Sequence, residues 1–253
     1  MAEFKEEGKS PEILFWVGCA GSFDERAKKI TRSFASLLQK ANVEFAILGQ
    51  EEGCTGDPAK RAGNEFLFQM QAMMNIEILN SYQIKKIVTA CPHCFNTLKN
   101  EYPQLGGNYE VLHHTQFLQS LLNEGKIKVK GGIFKGKKIT FHDPCYLGRA
   151  NDEYEAPRKL LAQLEANLLE MKRCKQNGFC CGAGGAQMFK EPERGSKDIN
   201  IERTEEALQL NPDIIATGCP FCNTMLADGI QTKNKSSEIY VKDLAELLNE
   251  NWL

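Results

Sequence analysis

Two adjacent cysteines, Cys180 and Cys181, stand just before Gly182-Ala183-Gly184-Gly185. Neighbouring cysteines are poor partners for each other, because an unstrained disulfide needs more separation between Cα atoms than adjacent residues provide. They suit a shared metal centre instead. Further sulfurs are supplied by Cys145, thirty-five positions before Cys180, and by Cys219 and Cys222 in Gly218-Cys219-Pro220-Phe221-Cys222, which makes a set of five thiols. The pattern occurs a second time: Cys19 lies thirty-five positions before Cys54, and Cys91-Pro92-His93-Cys94 follows. The flanks agree too, Thr89-Ala90 against Thr217-Gly218 before the pair and Asn96-Thr97-Leu98 against Asn223-Thr224-Met225 after it. Such self-similarity marks a tandem duplication. Thr55 stands where the second copy has Cys181, so the first set holds four thiols: Cys19, Cys54, Cys91 and Cys94.

Thiolates are the ligands of iron–sulfur clusters, matching iron in softness and offsetting its charge. Five converging sulfurs exceed what a tetrahedral zinc ion uses, so the second set favours a cluster over structural zinc. For the first set a cubane [4Fe-4S] cluster is favoured, with structural zinc or no metal as the alternatives. Two other functional classes remain beside the cluster reading: a zinc-stabilised interaction module, and a thiol–disulfide oxidoreductase built on a CxxC at a helix start. The last leaves Cys19, Cys54, Cys145 and the duplicated spacing without a purpose.

Three residues beside the thiols are candidates for tuning a cofactor or binding an anionic group. His142 and Arg149 flank Cys145, and His93 lies between two ligand positions. His113-His114 reads as a packed or exposed pair. Cys174 has no counterpart in the first copy and reads as a spare thiol. The glycines after Cys181 lack the spacing of a nucleotide-binding loop and suit close backbone approach to a cofactor.

These residues need a scaffold. With 42% hydrophobic and 25% charged residues in 253, the composition is that of an ordinary folded chain, long enough for two lobes. A net charge of -2 gives no basic field for nucleic acid. The first residues lack the apolar segment of a signal peptide and no long apolar run follows, so a cytoplasmic protein is expected, with any contact to the inner membrane made through a partner. In a reducing compartment, ten cysteines are better explained by metal than by disulfides.

Short apolar runs alternate with helical patterns. Ile13 to Val17, Phe45 to Leu48, Ile84 to Ala90 and Tyr109 to Leu112 read as strands, repeated at Ile139 to Phe141, Leu168 to Met171, Asp213 to Thr217 and Tyr240-Val241. Helical spacing spans Asp24 to Ala41, Gly63 to Tyr82 and Asn200 to Leu210. In the second of these, Phe66, Met70, Met73, Met74, Glu77 and Ile78 are expected to form the inward face. The predicted architecture is α/β: two pseudo-twofold-related lobes, each with a mostly parallel sheet and a cysteine site at the strand carboxyl ends. Residues 1–10 form a flexible leader, 11–130 the first lobe and 131–253 the second.

The two C…C(C/T)G…CPxC units resemble the cysteine-rich CCG domains of heterodisulfide reductase and its relatives, among them an iron–sulfur component of anaerobic glycerol-3-phosphate dehydrogenase. The wording around Cys54-Thr55-Gly56-Asp57-Pro58 and His142-Asp143-Pro144-Cys145 is most similar to iron–sulfur oxidoreductases associated with electron-transfer flavoprotein. The likeness runs from about Ile13 to the end. It implies a noncubane [4Fe-4S] cluster on Cys145, Cys180, Cys181, Cys219 and Cys222, and electron transfer between a ferredoxin-type iron–sulfur or flavoprotein partner and a quinone, disulfide or similar acceptor. Thr55 departs from the five-cysteine pattern of that family.

Overall fold

The structure, a computed structural model, describes residues 1–191 and 195–252. It contains two four-stranded sheets, each entirely parallel. In the first, β1 (Ile13–Trp16), β2 (Phe45–Ala46), β3 (Lys86–Thr89) and β4 (Glu110–His113) stand in the order β2-β1-β3-β4. In the second, β5 (Lys138–Phe141), β6 (Asn167–Leu169), β7 (Ile214–Thr217) and β8 (Tyr240–Asp243) repeat that order as β6-β5-β7-β8. A parallel sheet keeps helices on both faces, which is why the central strands β1 and β7 are buried at every position. The duplication read from the cysteines is therefore a duplication of the whole sheet topology.

The lobes share one core. Helix Ala27–Lys40, with Ile30, Phe34, Leu37 and Leu38 at helical spacing, packs against helix Leu244–Glu250 of the other lobe. Helix His114–Asn123 packs likewise on Glu155–Ala162, and a single apolar cluster runs from Ile13 and Phe15 through Phe117 and Phe141 to Leu248. Arg26 reaches across to the Glu246 carboxylate at 2.7 Å and to the Val241 carbonyl at 2.6 Å. Of the described residues, no helix is long and apolar enough to cross a membrane.

Helix Glu65–Ser81 departs from expectation. Its inward face is Phe68, Ala72, Asn75, Ile76 and Leu79, whereas Phe66, Met70, Met73 and Met74 are exposed. Both faces carry large apolar side chains, so periodicity alone could not choose between them. Packing chose the face on which Asn75 finds partners, the Cys54 carbonyl at 2.8 Å and the Tyr102 hydroxyl at 3.0 Å. Short helices that the sequence did not mark include Ala2–Glu6, Asp57–Arg61 and Gly18–Phe23, the last carrying Cys19 in its first turn.

Candidate metal centre

The nine repeated cysteines lie on the turns and loops that leave the carboxyl ends of strands, where an α/β sheet is free to build a site. Cys19 follows β1 and Cys145 follows β5. Cys91 and Cys219 follow β3 and β7 as the N-caps of helices that open with proline at the first turn. The helix after Cys219 runs thirteen residues, Pro220–Thr232, so its N-terminal amides give that sulfur a positive field.

The loops that deliver Cys54 and Cys180 share one device. Gly56 and Gly182 adopt φ of +87° and +95°, a left-handed conformation that side chains resist. That turn swings each glycine N–H back onto the sulfur two residues earlier, Gly56 to Cys54 at 3.4 Å and Gly182 to Cys180 at 3.2 Å. A backbone donor of this kind stabilises a thiolate. The glycines also have no room for a Cβ: at Gly56 it would meet Phe68 at 2.8 Å, and at Gly182 it would meet Ile199 at 3.1 Å.

The sulfurs converge as two groups. Cys19 lies within hydrogen-bonding reach of Cys54, and Cys91 of Cys94, with all four close enough to feel one another's charge. In the second group Cys145 reaches Cys180, Cys180 reaches Cys181, and Cys181 and Cys219 both reach Cys222. Cys91 and Cys219, one from each lobe, also influence each other's titration, so the two groups are electrostatically linked across the seam. All ten cysteines are free thiols, and Cys174 is coupled to neither group.

Crowded sulfurs cannot all ionise unaided. The hydrogen bond from Cys145, followed by that from Cys181, holds Cys180 down to about 2, while the same contacts raise Cys145 and push Cys181 up to about 12. In the first lobe the bond from Cys19 lowers Cys54 to about 7, and Cys19 rises in return. Within such a pair one thiol is lowered and its partner raised, because two thiolate charges side by side repel. A soft cation would remove that conflict, and thiol-only donor sets of this density suit iron–sulfur clusters. A second observation fits such a group. The indole Nε1 of Trp16, fully buried among residues that include Cys91 and Cys94, has no hydrogen-bond partner among the described residues.

Thr55 occupies the place of Cys181 in space as well as in sequence. Its hydroxyl lies 3.8 Å from Cys94 Sγ, as Cys181 lies beside Cys222.

The flanking candidates separate. His142 is buried, and one of its ring nitrogens lies within 4.8 Å of the Cys181 and Cys222 sulfurs. Burial and the neighbouring Arg203 charge drive it down to about 3, so its ring is neutral. His93 sits at the seam, its Nδ1 3.0 Å from the Asp57 carboxylate and its ring against Tyr146 and Phe221 of the other lobe. Burial disfavours its charge, but Asp57 and the Cys91 sulfur outweigh that and raise it. Arg149 is exposed on the turn after Gly148. His113 and His114 form a buried chain instead, Thr115 to His113 at 2.7 Å, His113 to His114 at 3.2 Å, and His114 to Asp243 of the second lobe at 2.9 Å.

Three partners escape a reading of the sequence. Asp143 binds Arg158 through both oxygens, at 2.8 and 3.0 Å, and accepts the Lys175 N–H at 2.8 Å, tying the Cys145 turn to the loop before Cys180. Glu52 does the converse, accepting the N–H groups of Val17 at 3.0 Å and Gly18 at 2.6 Å. Arg203 donates to His142. A charged residue on an otherwise inward helix face was the available signal for Arg203; the carboxylates sit in loops without periodicity.

A family model for the CCG cysteine-rich domain matches twice, over residues 13–99 and 139–227. This chain belongs to the CCG cysteine-rich domain family. Among curated relatives, the probable iron-sulfur-binding oxidoreductase FadF of Bacillus subtilis is 48% identical, over 99% of this chain and 35% of its own. EtfAB:quinone oxidoreductase of Syntrophomonas wolfei is 47% identical over 96% of this chain and 35% of its own. One subunit of the dihydromethanophenazine:CoB–CoM heterodisulfide reductase of Methanosarcina barkeri is 36% identical, over 98% of this chain and 60% of its own. The CCG repeat pair thus spans about a third of the length of the first two relatives.

Proposed function

We propose that the chain carries two iron–sulfur centres in series and serves as the electron-transfer part of an oxidoreductase, passing electrons between a flavin or iron–sulfur protein partner and a quinone, disulfide or similar acceptor. Cys145, Cys180, Cys181, Cys219 and Cys222 would hold the second centre, a [4Fe-4S] cluster of the noncubane kind. Cys19, Cys54, Cys91 and Cys94 would hold the first, a cubane, where Thr55 offers a hydroxyl in place of a fifth thiol. His142 would act beside the second centre and His93 between the two, while Arg149 is placed to meet an anionic group arriving from solvent. The partner is the element through which the assembly would meet the inner-membrane surface.

The observation that carries this reading is the electrostatic influence of Cys91 and Cys219 on each other across the seam, which lowers Cys91 and helps to raise Cys219. Ligands of the two centres are then neighbours, while Cys19 and Cys54 on one side and Cys145 and Cys180 on the other are partly exposed to solvent. That arrangement offers an entry, a short crossing and an exit. The names of the three relatives, all oxidoreductases or their subunits, support the same class.

Purification without oxygen, followed by iron, acid-labile sulfide and zinc analysis and by EPR of the reduced protein, tests it. Two iron–sulfur signals that broaden each other through magnetic coupling are expected. A colourless zinc protein would establish the interaction-module alternative, and disulfide exchange that survives iron removal would establish the thiol one.

A further inference from the structure

The duplication allows every residue around one centre to be compared with its mate around the other. Counting back from the first cysteine of each copy, His142 aligns with Trp16, each three positions before it. Counting back from the CPxC pair, Arg203 aligns with Asn75, each sixteen positions before it. All four are buried. In the first lobe Asn75 binds the Cys54 carbonyl and the Tyr102 hydroxyl. In the second, Arg203 Nε lies 3.0 Å from His142 Nδ1, and its Nη1 is held by the Arg173 carbonyl and the Glu206 carboxylate, each at 2.8 Å.

Resting on the reading of the second site as an iron–sulfur centre, we propose that Arg203 is a positioning residue that fixes the tautomer of His142, so that His142 gives the five-thiol site an Nε2–H donor and is not itself a metal ligand. A guanidinium only donates and does not lose its proton in proteins. The nitrogen it faces must therefore present a lone pair, which places the proton of the neutral ring on Nε2. A protonated ring nitrogen has no lone pair for a metal, so His142, Cys181 and Cys222 do not form a three-ligand metal site despite lying within 4.8 Å of one another.

The twin position argues for the same function. Trp16 carries a ring N–H that is a donor and nothing else, it is fully buried, and no acceptor among the described residues takes it. A buried donor without a partner is costly, and this one lies in the apolar cluster that also contains Cys91 and Cys94. Both copies thus carry a buried ring with an N–H at the same position before the first cysteine. Tryptophan has no alternative tautomer; histidine does, and Arg203 removes the choice. Hydrogen bonds to cluster sulfurs are a recognised control on reduction potential, since they favour the more negatively charged reduced state.

The test uses the protein purified anaerobically with its centres loaded. His142→Phe and Arg203→Met are each expected to shift the midpoint potential of the second centre in the negative direction, leave that of the first unchanged, and keep iron and sulfide at the wild-type content. Arg203→Lys, which keeps a donor for Nδ1, is expected to return the potential toward wild type. Trp16→Phe should produce the converse, a negative shift confined to the first centre. In protein labelled with 15N-histidine, the second centre should show only the weak hyperfine coupling of a hydrogen-bond donor. Strong coupling of a directly bound nitrogen, loss of iron from His142→Phe, or an unmoved potential with full iron would each overturn the assignment. Should Arg203→Met fail to fold, the nitrogen coupling in the wild-type protein decides. Wild-type protein lacking iron would instead defeat the underlying cluster reading.

Discussion

The two lobes tie their outer cysteine loops together with carboxylates that act in opposite directions. In the first, Glu52 on the Cys54 loop reaches back to the amides of Val17 and Gly18 before Cys19; in the second, Asp143 before Cys145 reaches forward to the amide of Lys175 and to Arg158. The requirement is the same in both, a fixed distance between two sulfurs delivered by separate strands. The sequence solution is not. What was kept after duplication is the sheet order, the positive-φ glycine with its N–H on sulfur, and the proline-capped CPxC turn. What diverged is the fifth thiol position and the residues that align near it, Thr55 with Trp16 and Asn75 against Cys181 with His142 and Arg203. The framework stayed common to both copies while the surroundings of each cysteine group became distinct.

The strongest way to break the comparison is at the seam. Cys91→Ser is expected to abolish the first centre and, because Cys219 is its neighbour, to alter the EPR spectrum of the second as well. Metal analysis alongside EPR checks this, and an undisturbed second spectrum would argue against electronic contact between the sites. Exchanging the fifth position is the next largest effect: Cys181→Thr should give the second centre the spectral character of the first, and Thr55→Cys should move the first toward the second.

The shared glycine turn provides a test of what is common. Gly56→Ala and Gly182→Ala should each destabilise by at least about 1–2 kcal/mol from the left-handed backbone alone. Gly56→Ala should be the worse, since its Cβ would meet Phe68 at 2.8 Å against 3.1 Å to Ile199 at Gly182. Thermal unfolding of the two variants checks the order. Asp143→Ala removes one of the two carboxylates that hold Arg158, leaving the other, Glu170 at 2.7 and 3.0 Å, and loss of such a charged bond costs about 1.5–3 kcal/mol. Chemical denaturation should show that loss, together with a less stable second centre and an unaffected first. The smallest effects are expected at Cys174→Ala and Met73→Gln, within about 0.5 kcal/mol with both centres intact. Either one emptying a site would mean that the site extends beyond the nine cysteines.

Much of the fold was legible in the residues. Alternation of short apolar runs with helical periods marked the strands, most clearly β1 and β7, because a parallel strand buried on both faces is apolar nearly throughout. Helix Ala27–Lys40 was legible because its apolar residues occupy one face. Helix Glu65–Ser81 was not, because Phe66, Met70, Met73 and Met74 compete with Phe68, Ala72, Ile76 and Leu79 on equal hydrophobic terms. Asn75 settled the matter through hydrogen bonds to a loop and to Tyr102, neither of which lies near it in the chain.

By itself, the sequence determined that this protein is a doubled α/β unit with a four-thiol and a five-thiol set, since duplication and cysteine spacing are written along the chain. Only the tertiary structure decided that Cys91 and Cys219 influence each other across the seam, that Thr55 sits against Cys94, and that Arg203 occupies one nitrogen of His142. These are contacts between groups delivered by different strands and helices. Their distances depend on how two sheets and their helices pack around a common core, and no local pattern encodes that.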